Sequence, residues 1–409
     1  MNSLRVGIIG CGTAGAASAL FLARAGHAVQ VFEAVAQPGP VGAGIMLQPT
    51  GQAVLGQLGL LDGIARQGAR VDHLHCVTVG GKTILDLHYA DVDARLHGYG
   101  LHRGALFDAL FQAVRVQSGV RLHLGVSIAR MVTDHGRWMI DALGQRHGPF
   151  DLAVVADGAG SHLQDDAPLP RKVSVYPWGA LWWVAPDPQQ LFRDQLFQVV
   201  QSAHTMMGLL PTGLSPHNPE VPAVSLFWSM HGDRVADFRT ADIARWKKRV
   251  VQLVPRAEFV IDGVQRADQL LFARYRDVVM PRWHNANTLW MGDAAHAMSP
   301  QLGQGANLAL VDAATLVDCL TGANNLPAAL LAYTRARKNH LQFYQWATRG
   351  LTPFFQSDSV LLGWLRDVAM PLGARVPWVR RKMVKSMVGA EQNWLFGAAR
   401  NGRTLCSDQ

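Results

Sequence analysis

Residues 292–307 read Gly292-Asp293-Ala294-Ala295-His296-Ala297-Met298-Ser299-Pro300-Gln301-Leu302-Gly303-Gln304-Gly305-Ala306-Asn307. An apolar run, Thr288 to Met291, precedes them, and the pattern of a helix follows from Leu308 to Leu320. This order predicts a strand that ends at a carboxylate and a glycine-rich turn that opens a helix. Such a turn directs backbone N–H groups and the positive end of the helix dipole forward, which suits an anionic group.

A second glycine-rich turn lies near the amino terminus. Leu4 to Ile9 predicts a buried strand, Gly10-Cys11-Gly12-Thr13-Ala14-Gly15 a tight turn, and Ala16 to Ala25 a helix. Another strand, Ala28 to Phe32, ends at Glu33. This is G-x-G-x-x-G between a strand and a helix, with an acid roughly 20 residues further on, the pattern of a dinucleotide site. The acid would accept hydrogen bonds from an unphosphorylated ribose, which indicates FAD or NAD.

Composition bounds the class of protein. The chain has 409 residues, 49% of them hydrophobic and 17% charged, so it can bury a large globular core. The net charge of +8 suits anionic ligands or a membrane surface, but no basic run interleaved with aromatic residues indicates nucleic acid. The four cysteines form no C-x-x-C pair and the sixteen histidines lack metal-ligand spacing. We therefore expect no disulfide framework, no metal and a cytoplasmic protein.

The pattern divides the chain into three regions of an α/β (α+β) fold. A Rossmann-like domain is interrupted by mostly antiparallel strands, which predict an inserted substrate domain. Pro211 to Pro222 is expected to be a proline-rich loop of this insert, and Gln52 to Gln67 a helix of the first domain. The expected bounds are 1–72, 97–170 and 275–325 for the nucleotide-binding domain, 73–96 and 171–274 for the substrate domain, and 326–409 for a C-terminal helical region.

Three motifs in this order resemble those of the class A FAD-dependent aromatic hydroxylases, the para-hydroxybenzoate hydroxylase-like flavoprotein monooxygenases. They are the first glycine turn with its acid, the Asp157-Gly158 pair, and the segment from Gly292 through Gly305. Arg103 also matches the arginine that this family places at the start of a helix beside the FAD phosphates. The likeness covers roughly residues 1–350.

The resemblance implies that the first domain holds FAD along its length. The first turn and Glu33 hold the ADP half, Asp293 accepts hydrogen bonds from the ribityl chain, and Pro300 lies by the flavin ring. The turn from Gly303 faces the pyrimidine edge, where a helix N-terminus stabilises the anionic reduced flavin. The residues implied to bind the cofactor are Gly10, Gly12, Thr13, Ala14, Gly15, Glu33, Ala34, Gly44, Arg103, Asp157, Gly292, Asp293, Pro300, Gly303, Gln304, Gly305, Ala306 and Asn307.

The resemblance also implies a reaction. NAD(P)H reduces the flavin, O2 forms a flavin C4a-hydroperoxide, and an aromatic or related electron-rich, largely apolar substrate is hydroxylated, while the protein excludes water. The second motif departs from the family, because Ser161-His162-Leu163-Gln164 stands where Ser-x-x-Arg is usual. That motif also serves the pyridine nucleotide, so the preference for NADH or NADPH stays open.

Substrate contacts are expected on the inserted strands and beside the flavin. Trp182, Met207 and Phe227 lie on those strands, and Gln48 and Gln301 lie in the segments that line the ring. Pro300, His231 and His204 are the candidate catalytic residues; a histidine could help remove a phenolic proton. The alternative for each aromatic residue is packing in the core, and for each histidine a structural or surface role.

Other interpretations remain. A flavin halogenase or a reductase could use the same scaffold, although Trp178-Gly179-Ala180-Leu181-Trp182-Trp183 lacks the halogenase pattern W-x-W-x-I-P. A non-catalytic binding protein could keep the fold without the flavin. The tail mixes tryptophans, among them Trp394, with basic residues. It could therefore contact a membrane peripherally, or pack against the core or a second subunit. The protein is expected to be a monomer or homodimer, cytoplasmic or membrane-peripheral.

Overall fold

The computed structural model describes residues 2–216 and 218–392. Its strands are β1 (Arg5–Ile9), β2 (Ala28–Glu33), β3 (Gly44–Leu47), β4 (Ala69–Thr78), β5 (Thr83–His88), β6 (Gly98–His102), β7 (Val120–Leu124), β8 (Ile128–Thr133), β9 (Arg137–Asp141), β10 (Arg146–Phe150), β11 (Leu152–Val155), β12 (Gln164–Asp165), β13 (Lys172–Pro186), β14 (Asp194–Gln201), β15 (Thr205–Ser215), β16 (Asn218–His231), β17 (Leu271–Val279) and β18 (Thr288–Trp290). Its α-helices are α1 (Thr13–Arg24), α2 (Pro49–Gln57), α3 (Leu61–Gln67), α4 (Arg103–Val116), α5 (Val235–Thr240), α6 (Ile243–Leu253), α7 (Glu258–Ile261), α8 (Asp293–His296), α9 (Gly305–Gly322), α10 (Leu326–Phe355), α11 (Val360–Arg375) and α12 (Pro377–Val388).

A five-stranded parallel sheet, in the order β18-β11-β1-β2-β7, forms the centre of the first domain. Residues Val6 to Ile9 and the whole of β11 are buried, because helices such as α1 and also the antiparallel strands β9 and β10 pack against the sheet. A Cβ built on Gly7 of β1 would lie 2.6 Å from the side chain of Met139 and 2.8 Å from that of Phe150. The largest hydrophobic cluster joins these strands to α1, α4, α9 and α10. Because the strands are parallel, their carboxyl ends lie at one edge of the sheet.

The second large sheet has nine strands in the order β17-β13-β16-β15-β14-β4-β6-β3, with β5 paired to β4. Most pairs are antiparallel, although β14 and β4 run parallel. One face packs on α6 and α7, and the other faces the C-terminal helices. The sheet also takes β3 and β6 from segments outside the predicted insert, and the domain bounds themselves stay a prediction.

Two sequence predictions of local structure were wrong. Most of the expected loop from Pro211 to Pro222 is strand, because a bulge at Gly213, with φ of 65°, lets β15 stay paired to β16 around the prolines. The helix expected from Gln52 to Gln67 is two helices, α2 and α3. The chain breaks between them at Gly59, whose φ of 67° is left-handed.

The helices α10 to α12 follow the second glycine turn and pack beside it. Proline lies inside α10 and α11, at Pro353 and Pro371. Among the described residues, no helix combines the length and the apolar sequence that crossing a bilayer requires. Trp394, which the sequence assigned to a basic and aromatic tail, lies outside the described residues.

Candidate cofactor and substrate site

The motif residues meet at the carboxyl edge of the parallel sheet. Gly10 follows β1, Glu33 ends β2, Asp157 lies just after β11, and Gly292 lies just after β18. The two glycine turns are in contact, since a Cβ built on Gly292 would lie 2.8 Å from the Cβ of Ala14. The fold therefore brings together segments that are far apart in sequence, at the edge where such sheets bind ligands.

The first turn is shaped by its three glycines. Gly10 has a φ of 93°, and a Cβ there would lie 2.6 Å from the carbonyl oxygen of Ala156. A Cβ on Gly15 would lie 2.0 Å from the carbonyl oxygen of Gly10, so only glycine lets α1 pack this closely. A Cβ on Gly12 would meet no atom within 4 Å, which leaves room in front of the turn.

Glu33 is held in place by the backbone of both neighbouring turns. Its two carboxylate oxygens each accept one hydrogen bond, from the N–H of Cys11 and the N–H of Val35, both at 2.9 Å. The remaining lone pairs are free to accept from a ribose. Burial, with a further contribution from the charge of Glu33, raises the pKa of the Cys11 thiol to about 12, so this cysteine stays neutral at the site.

Asp157 and Arg171 connect the second motif to the third. The Oδ1 atom of Asp157 is buried and finds no hydrogen-bond partner among the described residues, and burial raises the pKa of this carboxyl. The Arg171 guanidinium donates to the carbonyl oxygens of Ala294, Ser161 and Ala159 at 3.0, 3.3 and 3.2 Å. Arg171 was not among the predicted site residues. The absence of an arginine at Gln164 could have indicated that another arginine binds this loop.

The second turn places a carboxylate beside an open helix N-terminus. Gly303 has a φ of 61°, and α9 begins two residues later without a side-chain cap. Asp293 is exposed, and its Oδ1 would lie 3.9 Å from a Cβ on Gly305. The first N–H groups of α9 therefore remain available to an acceptor next to the Asp293 carboxylate.

Two predicted cofactor residues of this turn use their side chains inside the protein. The Gln304 amide donates to the carbonyl oxygens of Ser386 and Met387 at 3.2 and 2.8 Å. The Asn307 amide accepts from the N–H of Gln48 at 2.9 Å and donates to the carbonyl of Met46 at 3.0 Å. Their side chains brace the turn against β3 and α12, while the buried Oε1 atom of Gln304 finds no hydrogen-bond partner among the described residues.

A buried ion network, missed in the sequence, holds the backbone of Gly292. Asp312 is 0% exposed and accepts from the N–H of Gly292 at 2.9 Å, from His296 Nε2 at 2.6 Å and from Arg337 Nε at 2.7 Å. Burial alone would raise the pKa of Asp312, but His296 and Arg337 hold it far below its usual range. The carboxylate therefore stays charged and fixes the residue before Asp293.

The network continues to α12 through His340. An Nη1 group of Arg337 donates to His340 Nδ1 at 2.5 Å, and His340 Nε2 donates to the carbonyl of Gly389 at 2.8 Å. These partners require a neutral imidazole with its proton on Nε2. Burial, reinforced by Arg337, lowers the pKa of His340 to about 3.

Gln48, a predicted substrate contact, is 2% exposed. The buried hydroxyl of Tyr89 donates to its Oε1 atom at 2.5 Å, which turns the amide nitrogen away from Tyr89. A Cβ on Gly303 would lie 4.0 Å from that nitrogen. The side chain is therefore fixed, with a donor facing the second turn.

The predicted substrate contacts on the large sheet lie on both of its faces. Trp182 and Phe227 are cross-strand partners with ring centroids 5.2 Å apart. Met207 pairs instead with Trp228, is 1% exposed and packs in the cluster beneath α6. Strand alternation turns Met207 to the opposite face from Phe227, and its contact with substrate stays a prediction.

The other predicted catalytic and substrate residues lie at turns and short helices. Pro300 is exposed and begins a short 3-10 helix. The Gln301 amide donates to Gln356 Oε1 at 3.0 Å. His204 is exposed in the turn between β14 and β15. His231 caps a 3-10 turn by accepting the N–H of Asp233 at 3.4 Å. Catalytic roles for both histidines stay predictions.

Gln356, which the sequence analysis missed, links Gln301 to the large sheet. Its Nε2 atom donates to the carbonyl of Gly179 at 3.3 Å and to Ser229 Oγ at 3.2 Å. A polar chain thus runs from the segment after Pro300 to β13 and β16. It joins the cofactor edge to the sheet that carries Trp182.

These residues fit an extended dinucleotide with a flavin end. Two helix N-termini, those of α1 and α9, have no side-chain caps and lie at the same edge. Arg103 is exposed at the start of α4, with its side chain 3.1 Å from a Cβ built on Gly42. The orphaned oxygen of Asp157 and the exposed Asp293 supply acceptors between the two ends.

Comparisons with known proteins agree with this geometry. A family profile described as "FAD binding domain" matches residues 3–344. The kynurenine 3-monooxygenase of Salinispora tropica is 30% identical over 370 residues, which cover 82% of this chain and 77% of that protein. The 3-amino-4-hydroxybenzoate 2-monooxygenase of Streptomyces cremeus is 28% identical over 343 residues, which cover 80% of this chain and 81% of that protein.

Solved structures show the same fold. The 2-methyl-3-hydroxypyridine-5-carboxylic acid oxygenase superposes with a TM-score of 0.73 at 23% identity. The superposition covers 86% of this chain and 93% of that one. Both large sheets and their connecting helices therefore have counterparts of known architecture.

Proposed function

This chain belongs to the family of FAD-binding monooxygenases, and we propose that it uses NAD(P)H and O2 to hydroxylate an electron-rich aromatic substrate with a largely apolar surface. The observation that carries the proposal is the convergence of both glycine turns, Glu33, Asp157 and Asp293 at one sheet edge. One extended FAD can contact all of them. The aromatic substrate is supported by the relative that acts on 3-amino-4-hydroxybenzoate.

We assign the ADP half to the first turn. The N–H groups of the turn and of α1 approach the pyrophosphate, Glu33 binds the ribose, and Arg103 neutralises phosphate charge. Thr13, Ala14 and Ala34 contribute backbone and van der Waals contacts at the same edge. Asp157 binds near the middle of the cofactor, where its orphaned oxygen would gain a donor.

We assign the flavin half to the second turn. Asp293 accepts from the ribityl hydroxyls, and the first N–H groups of α9 stabilise negative charge on the pyrimidine edge. A helix N-terminus contributes about 1 kcal/mol to such an anion when exposed and about 2 kcal/mol when partly buried. Gly44, which starts β3, allows the close packing of the strand beside the ring, since a Cβ there would lie 2.7 Å from Ser225 Oγ.

Bound FAD supplies the hydride acceptance and oxygen activation of the reaction. The chain's own part is to bind, orient and exclude water. Trp182 and Phe227 provide an apolar wall for the substrate, while Gln48 and Gln301 offer polar contacts at its edges. The C-terminal helices cover the face of the sheet that carries Phe227 and keep water away from it. Exclusion of water favours oxygen transfer over unproductive loss of peroxide.

The decisive experiment combines a spectrum and a product. Purified protein, reconstituted with FAD if necessary, should show a bound flavin spectrum and oxidise NADH or NADPH faster with a panel of aromatic compounds. The product should gain the mass of one oxygen atom. Substrate-stimulated oxidation that requires halide and yields a halogenated product would favour the halogenase alternative, and absence of any flavin binding would favour a non-catalytic protein.

We also propose that α11 contacts an anionic lipid surface. Leu361, Trp364, Leu365, Val368 and Leu372 are exposed at helical spacing and form one apolar stripe. The next helix, α12, contacts α11 and carries Arg380, Arg381, Lys382 and Lys385, whose charge is complementary to anionic lipid. The alternative is a second copy of this chain.

The lipid proposal is tested by sedimentation with vesicles. The protein should bind anionic vesicles more strongly than zwitterionic ones, and Trp364→Glu should lose this binding. Binding that is equal for both vesicle types, or a dimer that dissociates in Trp364→Glu without any vesicle binding, would contradict it.

A further inference from the structure

A cluster of three metal-ligating side chains lies on the hairpin of β4 and β5, outside the cofactor edge. Asp86 Oδ1 accepts a hydrogen bond from His73 Nδ1 at 2.9 Å and another contact from His88 Nε2 at 3.0 Å. The ligand atoms of all three residues lie within 4.8 Å of one another. The imidazole rings of His73 and His88 are stacked, with centroids 4.4 Å apart.

The register of the hairpin produces this cluster. His73 and His88 are cross-strand partners in the antiparallel pair, and Asp86 lies two residues before His88 on the same face. Leu85 and Leu87 alternate with them and turn to the opposite face, where the C-terminal helices pack. The sheet therefore separates the cluster from the face that packs on those helices.

The cluster is open to solvent. The side chains of His73, Asp86 and His88 are 22%, 44% and 41% exposed. An ion could therefore enter without unfolding the hairpin.

Two imidazoles and one carboxylate suit Zn²⁺, which commonly takes such nitrogen and oxygen ligands in tetrahedral geometry. Ligand distances of about 2.0 to 2.2 Å imply ligand atoms about 3.3 to 3.6 Å apart. The present nitrogen-to-oxygen separations of 2.9 and 3.0 Å would need to widen by a few tenths of an ångström. The two imidazole rings, whose planes are inclined by 23°, would also need to tilt so that both nitrogens face one ion. A water molecule would complete the fourth position.

We propose that His73, Asp86 and His88 form a Zn²⁺ site that clips β4 to β5. The site would fix the edge strand β5, on which α11 and α12 pack. It is independent of the cofactor edge and would act on the stability of the hairpin rather than on the oxygenation reaction.

The test is a Zn²⁺ titration of tag-free, chelator-treated full-length protein against a chromophoric zinc chelator. One equivalent should bind to the wild type, and its thermal unfolding midpoint should rise with Zn²⁺. Asp86→Asn and His88→Ala should weaken binding by about 100-fold or more, because even residues that only support a metal ligand are worth about 10- to 100-fold. His135→Ala, an exposed histidine in another turn, is the matched control and should bind like the wild type.

A second readout separates loss of the site from loss of folding. Asp86→Asn keeps the size of the side chain, and the variant should retain the wild-type flavin absorbance while losing the Zn²⁺-dependent rise in unfolding temperature. Absence of a stoichiometric Zn²⁺ ion in the wild type, or equal binding by wild type and His88→Ala, would overturn the proposal. Loss of binding in His135→Ala to the same degree would also overturn it.

Discussion

Replacing His340 by glutamine tests the buried network beneath the second glycine turn. Burial and Arg337 lower the pKa of His340 to about 3, against an ordinary value of 6.5. Below about pH 6.5 the unfolded chain binds a proton at this histidine and the folded chain does not. The stability that a neutral His340 permits is therefore fully present above pH 6.5 and decreases as the pH falls towards 3.

The slope for one proton is about 1.4 kcal/mol per pH unit. When the pH falls from about 7 to about 5, the unfolding free energy of the wild type should decrease by roughly 2 kcal/mol because of His340. The His340→Gln variant should not show this decrease. Glutamine also removes hydrogen bonds and lowers stability at every pH. That loss is constant and cancels when the change with pH is compared.

The measurement is denaturant unfolding of both proteins at several pH values, followed by the difference in unfolding free energy at each pH. The difference should narrow by roughly 2 kcal/mol on going from about pH 7 to about pH 5. His135→Gln, at an exposed histidine, controls for replacing a histidine by glutamine outside the buried network. Parallel profiles for wild type and His340→Gln would show that His340 takes up its proton at an ordinary pH, and the reasoning would fail.

Three further predictions concern the cofactor edge. Asp293→Ala should lose FAD absorbance after gel filtration while keeping its circular dichroism, with Asp318→Ala as a control on α9; retained flavin would contradict the ribityl role. Gly15→Ala should unfold at a lower temperature and bind FAD weakly, because its Cβ would lie 2.0 Å from the carbonyl oxygen of Gly10, whereas Gly12→Ala, with no atom within 4 Å of its Cβ, should fold normally. Tyr89→Phe should cost about 1 to 3 kcal/mol of unfolding free energy, because it leaves the buried Oε1 of Gln48 without its donor; an unchanged stability would argue against that hydrogen bond.

The local architecture of the cofactor edge could be predicted from the sequence. Gly10 and Gly15 are required because a Cβ at either position would collide with the backbone of the same edge. The spacing of these glycines is visible in a short stretch of sequence. Parallel strands then place Asp157 and Asp293 at the same edge without any knowledge of side-chain packing. The same local logic identified the family from its motifs.

The contacts that depend on long-range register could not be predicted. Arg171, Asp312 and Gln356 each act on a segment that is distant in sequence, and no local pattern marks their partners. Met207 and Phe227 lie on opposite faces of the large sheet, and alternation separates the two faces of a strand without saying which one meets the cofactor. The cluster of histidines on the β4–β5 hairpin could not be predicted for a related reason, since it depends on the pairing of His73 with His88.

The hydrogen bonds from Gln304 to Ser386 and Met387 have a consequence for biosynthesis. The first glycine turn is translated long before Ser386 and Met387, the residues of α12 that brace the second turn. A nascent chain halted before Ser386 would lack those partners, although its parallel sheet could already be assembled. Loading of the flavin ring is therefore expected only after Ser386 and Met387 have left the ribosome and can bond to Gln304.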